Sequence, residues 1–179
     1  IAPEMIDEKF ANEKLIKENI FHDKNSINYK EVNYSITSGS LFIKNSFLKV
    51  CKMNEKLFID LVDKDWCERA KINDCKLFRS NNVFLKHRIG NKYIKIFGKK
   101  KSYHQLDFRV YYIIRNSIYL ILFGKNRFIW KLRRSIKVTI QLLAYPLLSL
   151  RKIDTFFIIL LAIRDALIKK MGKMNYINH

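Results

Sequence analysis

Hydrophobic positions along the chain follow two different spacings. Up to about residue 106 the apolar runs are short and interrupted, whereas from Asp107 onward apolar residues recur every three or four positions. Short alternating runs are typical of strands, and a spacing of three to four is typical of helices. The pattern therefore predicts an α/β region over residues 1–106 and a helical region over residues 107–179.

Strands, two helices and a turn are predicted in the first region. Ser46 is predicted to cap the first helix, and Gly39 permits a close backbone approach within the turn. The polar residues 1–30 show only a weak helical pattern, around residues 10–16. The predicted bounds are 31–36, 75–78, 82–87 and 93–97 for the strands, 46–52 and 60–72 for the helices, 37–40 for the turn and 98–102 for a loop.

Three carboxylates stand close together in a chain that is otherwise rich in lysine. They are Asp60, Asp63 and Asp65, and on a helix Asp60 and Asp63 would lie one turn apart on the same face. A carboxylate held there could take a proton from a hydroxyl, as a general base does. The same spacing also fits a solvated amphipathic helix that buries three other residues: Leu61, Trp66 and Ala70.

The charge of the chain requires a polyanionic neighbour. Its 35 Lys and Arg residues against 16 Asp and Glu residues give a formal net charge of +19. Nucleic acid, an anionic membrane surface and a phosphate-rich substrate all fit such a charge. No helix-turn-helix, zinc or RNA-recognition signature accompanies it, so nucleic acid is not the expected partner. Three cysteines without metal-ligand spacing are predicted to be reduced thiols of a cytoplasmic protein: Cys51, Cys67 and Cys75.

The last third of the chain combines apolar helical faces with basic residues. From Lys125 onward it has twelve Lys and Arg residues but only two acids, and no segment reaches the ~18 uninterrupted apolar residues of a spanning helix. We expect helices that lie in the interface of the cytoplasmic membrane face, with breaks at Gly124, around Pro146 and at Gly172. A helical hairpin packed on the body of the protein or on a second subunit is the alternative. The apolar face is formed by Phe128, Leu132, Ile136, Ile140, Leu143 and Leu147, with Arg127, Lys131, Arg134 and Lys137 on other faces.

Four motifs, in this order, resemble the rhamnosyltransferase-like branch of the family 2 inverting glycosyltransferases. They occupy residues 36–40, 57–70, 83–90 and 109–116. The resemblance implies the C-terminal part of a Rossmann-like, GT-A type nucleotide-sugar transferase domain, followed by amphipathic basic helices. Residues 1–106 would be its acceptor-side part, and the nucleotide-binding half would be absent. Because the chain begins Ile1-Ala2-Pro3-Glu4, we expect a portion of a longer transferase that is inactive alone.

The resemblance also implies the chemistry. The family's general base falls on Asp63, and Val62 occupies the preceding position, which is commonly acidic in the family. Asp60 is the second choice, one turn earlier. The expected reaction moves a sugar such as rhamnose from a nucleotide-sugar donor to a lipid-linked or cell-surface glycan. A basic nucleic-acid-binding module and a non-catalytic membrane-associated scaffold are the alternative functions.

Further roles follow from the same resemblance. Trp66, Ser38 and Gly39 would bind the acceptor, although Trp66 also fits a core aromatic. His87 would complete a divalent cation site, with Mg²⁺ or Mn²⁺ on the nucleotide diphosphate, and its imidazole suits Mn²⁺ better. The remaining candidates are Arg109 and Arg115, of which one would reach a phosphate oxygen with its planar fork.

Overall fold

The computed structural model describes residues 1–7, 29–87, 92–96, 99–103, 107–149 and 151–174. The predicted α/β class is confirmed at the level of a small sheet with several helices. In chain order the elements are β1 (Ala2–Asp7), β2 (Tyr29–Glu31), α1 (Lys44–Val50), a 3₁₀ turn (Glu55–Leu57), α2 (Val62–Ile72), β3 (Phe78–His87), β4 (Lys92–Ile96), β5 (Lys99–Tyr103), α3 (Asp107–Phe123), α4 (Phe128–Leu148) and α5 (Lys152–Leu167).

The described sheet has β3 at its centre. β1 pairs with it in parallel and β2 antiparallel, and β4 and β5 form a separate antiparallel pair. Several sequence predictions are corrected here. The predicted strand 31–36 contributes only Glu31 to β2, the predicted strands 75–78 and 82–87 merge into β3, and β5 replaces most of a predicted loop. β1 was not predicted, and the weak helical pattern at residues 10–16 lies outside the described residues.

Two helix boundaries differ from prediction, and a third agrees with it. α1 begins two residues before Ser46, and its N-cap residue, Ile43, makes no side-chain capping bond. Pro146 lies inside α4, in its last turn, so the helix ends two residues later than a break at the proline would place it. The predicted break at Gly124 is confirmed because α3 ends at Phe123.

Helix α3 is the centre of the helical region and packs against both α4 and α5. The eight residues from Val110 to Ser117 are all buried, including the polar ones at the end of this run. A second cluster forms where α1 meets α2, around Trp66. The main cluster consists of Val110, Tyr111, Tyr112, Ile114, Val138, Ile159 and Ala162.

The loop that leads into α2 has an unusual backbone. Phe58, Asp60 and Leu61 all have φ between 59° and 65°, in the left-handed region that residues with a Cβ seldom adopt. Each such residue costs on the order of 1 kcal/mol or more, and it persists only where the surrounding structure holds it. Asp60 therefore precedes α2, and the prediction that Asp60 and Asp63 share a helical face is wrong.

The side chains of two α3 residues, Asn116 and Arg115, donate hydrogen bonds to this loop. The Asn116 amide nitrogen donates to the carbonyl oxygens of Leu57, Ile59 and Asp60 at 2.9, 2.8 and 3.0 Å. The Arg115 guanidinium donates to the Asn116 amide oxygen at 3.0 and 3.1 Å and to the Leu57 carbonyl at 3.2 Å. Both side chains are essentially inaccessible to water, so each bond satisfies a group that would otherwise be buried without a partner.

Replacing Asn116 with Ala is expected to lower the free energy of unfolding by about 2–4 kcal/mol, because three loop carbonyls and the Arg115 guanidinium lose their hydrogen bonds to the Asn116 amide. Asn126 provides a matched control. It is also buried, but its amide has no hydrogen-bond partner among the described residues, so Asn126→Ala should cost less than about 1 kcal/mol. Urea unfolding of both variants, followed by circular dichroism, measures the difference. Equal losses would contradict the role given to Asn116.

Candidate functional site

The candidate site lies where the first turn of α2 meets residues 34–40. Asp63 is half-buried in that turn, and the Thr37 hydroxyl donates a hydrogen bond to its Oδ1. Both residues line a cleft of about 470 Å³, a volume within the usual range of small-molecule sites. The rest of its described lining is mostly apolar and includes Ile36, Phe42, Met53, Trp66 and Leu77.

The surroundings of Asp63 raise the pKa of its carboxyl group. Burial is the largest cause, and the neighbouring Asp60 raises the pKa further. Hydrogen bonding from Thr37 and the charge of Lys64 act in the opposite direction without cancelling these effects. A carboxylate with a raised pKa is a stronger proton acceptor than one in water, which suits general-base chemistry.

Asp60, the second candidate base, is held in an ion pair. Arg109 on α3 donates to both of its carboxylate oxygens, at 2.8 and 3.1 Å. The side chains of Asp60 and Arg109 are 14% and 31% exposed, so the pair is partly screened from water. This geometry makes Asp60 an anchor for the loop, and it gives the Arg109 guanidinium a carboxylate partner already within the chain.

Lys64 is a third titratable group, next to the two aspartates. Its ammonium lies 5.3 Å from the centre of the Tyr34 ring. Burial and the nearby positive charges of Lys137 and Arg134 lower the pKa of Lys64 to about 8. The Tyr34 hydroxyl has its pKa raised, mainly by burial and then by Asp63. The neighbouring residues Asp63 and Lys64 thus have a raised and a lowered pKa respectively.

Trp66 belongs mainly to the core. It is 4% exposed, donates through its indole nitrogen to the Cys51 carbonyl at 3.0 Å, and stacks with Phe47. It also contributes to the wall of the cleft. The structure is thus consistent with the core interpretation, and its predicted acceptor contact stays a prediction.

Ser38 and Gly39 form the exposed tip of the turn and are absent from the described cleft lining. Gly39 has φ of 69°, and a Cβ there would lie 3.0 Å from Pro3 and 3.3 Å from Leu85. This conformation and this close packing explain the glycine without any ligand. The flanking Thr37 and Ser40 line the cleft instead, although Thr37 was not assigned a role from the sequence.

Arg115 cannot perform the phosphate-binding role predicted for it in this structure. It is 1% exposed, and its guanidinium donates to Asn116, Leu57 and the Gly172 carbonyl. The tyrosines beside it, Tyr111 and Tyr112, are buried, and the guanidinium carbon lies 5.2 and 4.9 Å from the centres of their rings, as the packing interpretation predicted. We assign Arg115 to the support of the loop.

His87 ends β3, where its backbone is in register with Asp7 of β1. Its side chain lies outside what the structure describes, so its metal-binding role stays a prediction. Among the described residues, no group of three or more His, Cys, Asp or Glu could hold a metal ion.

The remaining acids of α2 have structural partners. Asp65 accepts from Arg69 at 2.9 Å, and Arg69 also donates to the carbonyls of Val50 and Lys52. Arg69 thus pairs with a carboxylate of its own helix, which is the structural role expected from the sequence. Glu68 is paired with Lys71 and Arg127, so it connects α2 to the start of α4.

One comparison with known proteins gives a match. No family model and no solved structure matches the chain. Over 87 residues it is 36% identical to a protein of Shigella flexneri described as dTDP-rhamnosyl transferase RfbF. The aligned stretch is 49% of this chain, and the chain spans 29% of the relative's length. The similarity supports a relationship to glycosyltransferases, and the mixed α/β structure is compatible with part of such a domain.

Asp63→Asn is expected to raise the free energy of unfolding at pH 7, because it removes a partly buried negative charge. With its raised pKa, Asp63 binds a proton more tightly in the native state than in the unfolded chain. The ionised form therefore lowers stability at neutral pH, and this cost disappears as the pH falls below the ordinary value of 3.8. Urea unfolding at pH 7 and at pH 3.5 should show the gain at the higher pH alone.

Asp60→Asn is the same chemical change at the neighbouring aspartate and should lower the free energy of unfolding. It weakens the ion pair with Arg109 and leaves the guanidinium without its anion, at a cost of about 1–3 kcal/mol for a partly buried pair. If Asp63→Asn destabilises the protein at pH 7 as much as Asp60→Asn does, Asp63 is an ordinary structural carboxylate.

Proposed function

We propose that this chain is the acceptor-side part of a sugar transferase, with Asp63 as the general base that activates the acceptor hydroxyl. The observation that carries the proposal is the position of Asp63. It is a cleft-lining carboxylate with a raised pKa, hydrogen-bonded to Thr37, and within the described part of the chain no cation is recorded at ion-pair distance from it. The similarity to a protein described as a dTDP-rhamnosyl transferase supports the reaction class.

The proposed step is a single displacement. The Asp63 carboxylate accepts the proton of an acceptor hydroxyl as the hydroxyl oxygen attacks the anomeric carbon of the donor sugar. The bond between that carbon and the donor phosphate oxygen breaks, and the nucleoside diphosphate leaves with the bonding electrons. Attack from the face opposite the leaving group inverts the anomeric carbon. A positioned base of this kind contributes about 10²–10⁴-fold to the rate.

Thr37 supports this role by orienting the base. Its hydroxyl donates to Oδ1 of Asp63 and so fixes the orientation of the carboxylate at the cleft. Ser40 adds a second hydroxyl to the cleft, and the Trp66 ring adds part of an apolar wall. A wall of this composition can contact the apolar face of a sugar ring while a few polar groups fix its orientation.

The same proposal includes the sugar donor, the type of domain, the acceptor and the cation. A dTDP-linked sugar is the donor to test first, because the relative's description names a dTDP-rhamnosyl transferase. A GT-A type domain, a lipid-linked glycan acceptor and a divalent cation remain predictions from the resemblance.

The direct test is Asp63→Asn in the protein expressed from its complete natural reading frame. With dTDP-rhamnose and a lipid-linked glycan acceptor, kcat should fall by about 10²–10⁴-fold, because Asn cannot accept the proton. Release of dTDP measures turnover. Thr37→Val, which removes the orienting hydroxyl, should cost on the order of tenfold.

Asp74→Asn is the control for the same chemical change. Asp74 is exposed, lies in the left-handed region that Asn tolerates well, and is absent from the described cleft lining. Its turnover should equal that of the wild type. Wild-type turnover in folded Asp63→Asn protein would remove Asp63 as the base.

A further inference from the structure

Helix α4 presents a long apolar stripe to solvent. Along its 21 residues, which span about 30 Å, six apolar side chains recur at intervals of three or four positions. Each of them is between 53% and 78% exposed. They are Phe128, Leu132, Ile136, Ile140, Leu143 and Leu147. Single exposed apolar residues are common, but a contiguous apolar stripe of this length marks an interaction surface.

The stripe lies opposite the face that α4 uses for packing. Arg134 and Val138 are the buried residues of the helix, and Arg134 donates to Ser117 on α3 at 2.9 Å. On a helix, positions 134 and 138 lie about half a turn away from positions 136 and 140. The stripe therefore does not take part in the packing of α4 against the core. The prediction that this helix is amphipathic is confirmed.

Helix α5 repeats this arrangement. Its buried residues include Thr155, Ile159, Ala162 and Ala166, which follow helical spacing along one face. The opposite face exposes large apolar side chains that are 46% to 73% accessible. They are Ile153, Phe156, Phe157, Leu160 and Leu167. Two helices that contact each other thus both leave an apolar face uncovered.

Basic residues border the apolar stripe of α4. Arg133 and Lys137 are exposed and lie along one edge of the stripe, and Lys125 and Arg127 are exposed at the start of the helix. Beyond residue 124 the chain has twelve Lys and Arg residues but only Asp154 and Asp165 as acids. Asp165 is buried and pairs with Arg164, and twelve basic residues against two acids still leave this part of the chain with a formal net charge of +10.

We propose that the exposed faces of α4 and α5 dock onto an anionic lipid bilayer, with the apolar stripes in the boundary between headgroups and acyl chains and the basic residues on the lipid phosphates. Basic residues beside an exposed apolar face are the chemistry of interfacial helices. A second copy of this chain fits poorly, because it would bring the same basic residues together in a protein of net charge +19. None of the helices in the described ranges is long and apolar enough to cross a membrane. The inference goes beyond the proposed reaction and does not depend on it.

Vesicle sedimentation with the full chain tests this docking. The wild type should bind vesicles that contain phosphatidylglycerol, bind pure phosphatidylcholine at least tenfold more weakly, and lose most binding in 0.5 M salt. Leu143→Glu should reduce binding to the anionic vesicles about tenfold or more, because a charge then enters the apolar stripe. Arg133→Glu should reduce it severalfold and flatten the salt dependence.

Leu48→Glu is the matched control. Leu48 on α1 is 63% exposed, close to the 69% of Leu143, but lies on a different helix and surface. Its vesicle binding should stay within twofold of the wild type. Equal losses in the two Leu→Glu variants would overturn the proposal, as would binding to DNA with none to vesicles. Light scattering without lipid provides a further test. A dimer of the wild type that becomes a monomer in Leu143→Glu would show that the stripe binds a second copy of the chain, and it would also overturn the proposal.

Discussion

The site depends on the hydrogen bonds that the Asn116 amide donates to the loop of residues 57–61. Three of the residues that lead into α2 are in left-handed conformations without being glycine, so this path is not one the loop would take in isolation. Asn116 and Arg115 bind the carbonyls that this path turns toward α3. The loop in turn sets where α2 begins, and thereby directs Asp63 into the cleft. The strain stored next to the site is therefore compensated by buried bonds some 57 residues further along the chain.

The structure gives its two central aspartates different environments. Asp60 receives two donors from Arg109, whereas Asp63 receives the Thr37 hydroxyl and is partly removed from water. The first arrangement anchors the loop that leads into α2. The second raises the pKa of the Asp63 carboxyl group above its ordinary value, mainly through burial. These two carboxylates, three residues apart, thus differ in environment because their partners lie on different elements.

The sequence predicted what depends on local spacing. The helix that carries Asp63, the break at Gly124 and the amphipathic face of α4 all follow from residues within a few turns of one another. The left-handed backbone at Asp60 did not follow, because its cause lies in Asn116, far along the chain. The pairing of β1 with β3 was missed for the same reason, as was Thr37. The turn at residues 37–40 was predicted from the sequence. That Thr37 is the residue of this turn that faces Asp63 depends on the packing of Gly39 against Pro3 and Leu85.

The carboxyl carbon of Asp63, followed by NMR through a pH titration, tests this account most directly. The account predicts a pKa above the ordinary value of 3.8 in the wild type. It also predicts a return toward that value in Asn116→Ala protein that stays folded, because the released loop lets water reach the carboxylate. A pKa at or below the ordinary value in the wild type would contradict the claim that the fold holds Asp63 ready as a base.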